Sequence, residues 1–155
     1  MIDPLELIGR RLDAVTGSWL HHPDGSRSLL HVWLRFDTLG PIRLCTPSHD
    51  VTLELNTPHD SYAMDECGHV VVESAPPDFT ANRFVGKRVE DGGHVHEPLI
   101  NASIGFVLHF DDGILRVRNV CDELAFDTDQ PRPRSSGSAA RTAEADLRSV
   151  VSEQE

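Results

Sequence analysis

The sequence predicts an α+β fold that is mainly antiparallel β, built from two duplicated β-hairpin halves with short helices and followed by a disordered C-terminal tail. Three observations carry that prediction. First, LRFDTLGPIRL at Leu34–Leu44 and LHFDDGILRV at Leu108–Val117 each show period-two alternation on both sides of an Asp/Gly turn, which is the signature of a hairpin. Second, LIGRRL at Leu7–Leu12 and FVGKRV at Phe84–Val89 precede those stretches in the same order. The offset between the halves drifts from 77 residues at the glycines to 73 at Gly40 and Gly113, as small loop insertions produce. Third, the composition changes at Asp127 to DTDQPRPRSSGSAA, which is rich in Pro, Ser and charge and has little to bury.

The elements follow in order. Asp3 before Pro4 reads as an N-cap and first helical residue, and Asp78 in PPDFTANRFVG reads as a second N-cap. Gly9 and Gly86 are placed to end those helical turns. In the first half Val32, Leu34 and Phe36 form one face of a strand, and Ile42 and Leu44 continue it beyond the turn. In the second half Phe106, Leu108 and Phe110 are matched by Leu115 and Val117. Further strands are expected at Asp50–Asn56, His69–Glu73 and Glu123–Phe126, with 56–68 a polar loop. The domain therefore spans 1–126, with repeat halves at about 4–56 and 78–126 in a pseudo-twofold relation, as one sheet or two packed sheets. Residues 127–155 are expected to be disordered or weakly helical.

Composition narrows the functional classes. No segment approaches the roughly 18 apolar residues that a membrane-spanning helix needs, and the N-terminus lacks a signal peptide's pattern. The expected location is cytoplasmic. Cys45, Cys67 and Cys121 form no C-x-x-C pair, which fits a reducing compartment and small, partly buried side chains. The net charge is −11, and no basic footprint for nucleic acid is visible. Thirteen of the fourteen Lys and Arg residues are Arg, a coding habit of GC-rich genomes.

Catalytic signatures are missing. There is no G-x-S-x-G elbow, P-loop or G-x-G-x-x-G. The doublets Asp111-Asp112 and Asp122-Glu123 belong to a turn and a strand end, where neighbours point apart, so neither makes an acid/base pair by itself. His94 and His96 share one face if extended and could seat zinc or another divalent metal, joined by His21 or His22. A solvated His-rich surface is the competing reading, and no cofactor is otherwise expected. Trp33 alternates away from the core face, beside Arg35 and across from Arg43, and its counterparts in the second half include His109 and Arg116. An exposed Trp among Arg residues has the composition of a protein interface; the competing reading covers that face with another layer.

The glycine-bearing G-[RK]-R-[LV] starts (Gly9–Leu12, Gly86–Val89), the L-x-F-D hairpins (Leu34–Asp37, Leu108–Asp111) and the late D-E-L-x-F (Asp122–Phe126) resemble small uncharacterised actinobacterial β-rich proteins. In size, acidity and β content the chain is also similar in kind to immunity proteins of bacterial polymorphic toxin systems. The residues and that resemblance together imply a non-catalytic, protein-binding or accessory protein with a protein partner. The alternatives are a small-ligand-binding domain between the two halves, and a His-based metal-dependent enzyme or sensor. The oligomeric state is left open.

Overall fold

The computed structural model describes residues 1–129; the segment expected to form the tail lies outside the described residues from 130 onward. Among the described residues, ten strands form two antiparallel sheets. They are β1 (Leu12–His21), β2 (Arg27–Phe36), β3 (Gly40–Cys45), β4 (Thr52–Leu55), β5 (Tyr62–Ala63), β6 (His69–Ser74), β7 (Asp91–Glu97), β8 (Ala102–Phe110), β9 (Gly113–Val120) and β10 (Glu123–Asp129). The larger sheet has the order β4-β3-β2-β1-β6-β5, and the smaller β10-β9-β8-β7.

The β assignment is correct and the α component is not. The two expected helices are single 3₁₀ turns, Pro4–Leu7 and Thr80–Phe84, and a third covers Asp65–Cys67. Each has too few residues to outweigh the cost of nucleating an α-helix. Asp3 caps the first turn as expected, in a capping box with Glu6. Asp78 does not cap the later turn: Phe79 holds that position without a side-chain bond. Residues 56–68, expected as loop, contain β5 and a 3₁₀ turn. The last strand extends past Phe126, because Asp127 and Asp129 pair with Arg116 and Ile114 of β9. The strand therefore runs three residues past Phe126.

Alternation decides which side chains meet. Val32, Leu34 and Phe36 of β2 and Phe106, Leu108 and Phe110 of β8 are all at most 3 % exposed and belong to one core shared by both sheets. Leu7, Leu12, Phe84 and Val89 close that core at the chain segments preceding the sheets. Those segments pair directly. Gly9 N–H donates to the Val89 carbonyl and Gly86 N–H to the Leu12 carbonyl, each at 2.7 Å; Val89 N–H donates to Arg10 and Leu12 N–H to Lys87, each at 2.9 Å. Gly9 and Gly86 have φ of +86° and +92°, a region that Cβ-bearing residues avoid. Each glycine turns the chain out of its 3₁₀ turn and into the seam.

Side chains brace the seam. Asp37 accepts from Arg11 N–H at 2.7 Å and lies 3.6 Å from Arg88, and Lys87 pairs with Asp112 at 3.2 Å. The Arg11 N–H bond, followed by the nearby guanidinium charges, holds the Asp37 carboxyl below its ordinary pKa. The surfaces between the sheets are aromatic in two places: Phe84 stacks on Phe110 at 4.5 Å, and Phe79 joins Phe126 at 5.0 Å and Trp19 at 6.4 Å. Among the described residues, no helix is long and apolar enough to cross a membrane.

Phe84 is fully buried where seam and core meet. Phe84→Ala should therefore cost about 3–5 kcal/mol, read as a lowered midpoint in urea unfolding; a loss below about 1 kcal/mol would mean that the seam does not need this ring.

Candidate ligand cleft

β2 and β3 start as a tight hairpin and then separate. Their register runs from Phe36–Gly40 to Trp33–Arg43 and ends there. Beyond that point β2 pairs only with β1, through Leu29–Trp19 and Ser28–Leu20. β3 pairs only with β4, through Leu44–Leu53 and Cys45–Thr52. Into the opening comes the β9–β10 turn. The result is a cleft of about 430 Å³ bounded by Ser28–His31, Arg43–Thr46 and Asp122–Leu124.

Several local features hold this shape. The β9–β10 turn has two central residues, Cys121 and Asp122, both with positive φ (54° and 69°), as the right-handed strand twist requires of a two-residue hairpin. Asp122 N–H donates to the Asn119 side-chain oxygen at 2.8 Å. The Asn119 amide in turn donates to the carbonyls of Ser48 at 3.1 Å and Asp50 at 3.0 Å. One asparagine therefore fixes the turn of the smaller sheet against the β3–β4 connection of the larger one. A second tie joins Ser103 Oγ to Asp50 at 2.9 Å.

The charges at the cleft are opposed and separate. Arg43 donates its Nε to Cys45 Sγ at 3.4 Å. Among the described residues it forms no ion pair, and neither do Asp122 and Glu123. His31 and Arg43 stand on the outward side of the larger sheet, while the acidic turn enters from the side where the smaller sheet packs. Unlike charges across an open cleft, each lacking a mutual bridge, leave polar groups available to a ligand.

The wall behind His31 is a covered aromatic cluster. Trp33 points away from the core, as its alternation predicts, but it is only 1 % exposed. Of the two readings that the sequence leaves open, the covered one holds: the segment from Asn56 to Tyr62 lies across it. Asn56 accepts from the indole N–H at 3.0 Å, and the His59 ring sits 5.4 Å from Trp33 and 5.5 Å from Tyr62. Ser61 Oγ fastens this strap by accepting Val72 N–H at 2.9 Å. His31 lies 5.8 Å from Trp33 and 6.0 Å from His59, with Ser18 Oγ 3.3 Å from its Nδ1. Burial, then Arg43 and His59, lowers the His31 pKa.

The other sequence-derived candidates are scattered. Arg35 is exposed on the outward face of β2. His109 and Arg116 are on the outward face of the smaller sheet, so they do not join Trp33 and Arg43. Arg116 is engaged there with Asp127 and Asp129, each at 2.7 Å. His94 and His96 are exposed on β7, with His94 3.7 Å from Asp3. His21 stacks on His69 at 5.1 Å, and His22 contacts Ser28 Oγ at 2.8 Å. The four metal candidates thus fall in two pairs, one on β7 and one at the end of β1, and no group of three or more His, Cys, Asp or Glu among the described residues is arranged to hold a metal ion. Of the cysteines expected to be partly buried, only Cys45 is; Cys67 and Cys121 are exposed.

Sequence reasoning missed Cys45, Thr46 and the Asp122–Leu124 wall. The doublet Asp122-Glu123 is visible in the sequence, but its meeting with β2 and β3 depends on a contact between distant segments. Compared with protein-family models, curated proteins and solved structures, the chain matches none of them.

Two expectations follow. Trp33→Ala should destabilise the protein by about 3–5 kcal/mol in urea unfolding, where an exposed Trp would cost almost nothing. His31 binds a proton less readily folded than unfolded, so the unfolded state takes up more protons as pH falls below about 6.5. Stability should fall on acidification through that window, before the carboxylates titrate. His31→Gln should flatten unfolding midpoints measured from pH 7.5 to pH 5; an unchanged slope would remove His31 as the cause.

Proposed function

We propose that this is a non-catalytic binding protein whose ligand lodges in the cleft between β2, β3 and the β9–β10 turn. The observation that carries the reading is the set of opposed, unbridged charges on its walls: Arg43, with the polar imidazole of His31 beside it, against Asp122 and Glu123. Side chains of opposite sign that line one opening without pairing are suited to a ligand that carries both signs, or hydrogen-bonds to both. The cleft's volume of about 430 Å³ lies within the range of small-ligand sites. At the cleft Cys45 Sγ contacts Arg43 and His31 Nδ1 contacts Ser18, so the thiol and the imidazole are not paired with each other. A protein partner, suggested by the acidic composition and the resemblance to immunity proteins, would use this cleft to receive one of its segments.

The two halves also have matching parts, which supports the reading of an internal duplication. Each proposed half contributes a 3₁₀ turn, a positive-φ glycine and a four-strand meander, β4-β3-β2-β1 in one and β10-β9-β8-β7 in the other. The four seam hydrogen bonds exchange with one another when residue 9 is matched to 86 and residue 12 to 89. In this reading the β5–β6 hairpin and its strap are additions to the first half. They break the symmetry, and two of the three segments lining the cleft, from β2 and β3, belong to the half that carries them.

Native mass spectrometry on the protein isolated from its own cells provides the test. A bound species should accompany the wild type and be lost from Arg43→Gln and Glu123→Gln, which should each weaken binding at least tenfold, since a hydrogen bond to a charged group contributes about 1.5–3 kcal/mol. Arg35→Gln, on the exposed surface nearby, should retain it. A ligand that survives both cleft variants would place binding elsewhere.

A further inference from the structure

We infer that the ligand of this cleft is an extended peptide segment, bound as an additional strand between β2 and β3. This inference rests on the cleft reading above and names the ligand's chemistry.

The opening is a gap in a sheet. β2 continues for six residues past its last pair with β3, from Val32 back to Arg27, and β3 continues through Leu44 and Cys45. Over these stretches each strand is paired on its far side only, β2 with β1 and β3 with β4. Their facing edges carry main-chain donors and acceptors with no register partner. A strand edge of this kind is a template for another extended chain. Exposed outer edges usually perform that role, but in the larger sheet the outer edges are partly obstructed. Ile2 bridges to Leu53 on β4, and β5 is only two residues long. Within the larger sheet the six-residue stretch of β2 at this gap is the longest without a register partner on that side.

The walls specify side chains as well as backbone. His31, Arg43 and Cys45 lie on the outward face, with Trp33 and Thr16 in register beside them. Leu29 and Leu44 lie on the inward face, where Leu29, Leu44 and Leu124 pack with the core. The Asp122-Glu123 turn approaches from that inward side. A strand in the gap presents alternate residues to the two faces. Its outward residues meet Arg43 and His31, and its inward residues meet Asp122 and Glu123. The preferred sequence therefore alternates acidic and basic side chains, with the acids toward Arg43. The strap from Asn56 to Tyr62 packs behind His31 and keeps that wall in place.

The probe is a capped hexapeptide alternating Glu and Lys, titrated into isotopically labelled wild-type protein and followed by amide chemical shifts. Its composition-matched block isomer, with all Glu before all Lys, serves as the comparison, and a version N-methylated at one central amide lacks a main-chain donor. Free glutamate and free lysine are titrated separately. The alternating peptide should bind saturably, move the amides of Leu29–His31 and Leu44–Thr46, and exceed both the block isomer and the N-methylated form by about tenfold, the consequence of one lost charge-assisted or main-chain bond. Arg43→Gln should weaken it by a similar factor while its own spectrum stays dispersed.

Equal binding of block isomer or N-methylated peptide would overturn strand addition. So would shifts confined to the free amino acids; in that case the cleft reading stands and the peptide reading does not. If no probe moves the cleft amides while the protein from its own cells carries a ligand lost from the Arg43 variant, the peptide inference fails alone. If that ligand is also insensitive to Arg43 and Glu123, both fail.

Discussion

The reciprocal pairing of Gly9–Leu12 with Gly86–Val89 is the constraint on which the rest of the structure depends. Four main-chain hydrogen bonds join segments almost eighty residues apart in the chain. They commit Leu7, Leu12, Phe84 and Val89 to one buried centre, and each sheet starts directly after its seam segment. Such a pairing is costly to form, because the long intervening loop must close first. It is repaid by burial: all four side chains are at most 1 % exposed, and burying a side chain of this size contributes about 1.5–3 kcal/mol. Positive φ at both glycines is what permits the entry. The ion pairs around the seam, Lys87–Asp112 and Arg88–Asp37, are partly exposed and contribute little beyond geometry.

From the seam the cleft follows. It sets the smaller sheet against the inner face of the larger one, so that Phe106, Leu108 and Leu115 meet Val32, Leu34 and Phe36. At the far end of that contact Asn119 and Ser103 tie the smaller sheet to the β3–β4 connection. The β9–β10 turn is thereby carried to the place where β2 and β3 part. Two residues without glycine's freedom hold positive φ in that turn. Departures of this kind cost on the order of 1–3 kcal/mol and persist only where surrounding contacts enforce them. Here the enforced position brings Asp122 and Glu123 to the cleft.

The outward face of the larger sheet shows a different balance. Trp33 is too large to be left wet at low cost, and the strap from Asn56 covers it with polar and aromatic groups. The indole N–H finds its acceptor in Asn56, so burial leaves no donor unsatisfied. His31 is drawn under the same cover and becomes harder to protonate. A second small cluster thus lies on the side of the sheet opposite the main core.

The sequence by itself determined the hairpins β2–β3 and β8–β9, their inward faces and their order, whereas β5 fell in a stretch that read as loop. Alternation at Val32, Leu34 and Phe36 and at Phe106, Leu108 and Phe110 is a local property, set by the pleat and by which side chains avoid water. It also placed Trp33 on the outward face correctly. Asp3 and Pro4 marked the first turn for an equally local reason, a capping bond two residues away. The tertiary structure alone decided whether Trp33 is wet or dry, because the covering strap is polar in composition and gives no sign of where it folds. It alone decided that the pair His94 and His96 is not joined by His21 or His22, since i, i+2 spacing supplies two imidazoles but no third ligand. And it alone made the cleft, which joins Ser28–His31, Arg43–Thr46 and Asp122–Leu124. Those three segments share no pattern along the chain; what brings them together is the divergence of two strands and a turn delivered from the other sheet, and such long-range contacts are fixed by packing rather than by any local preference.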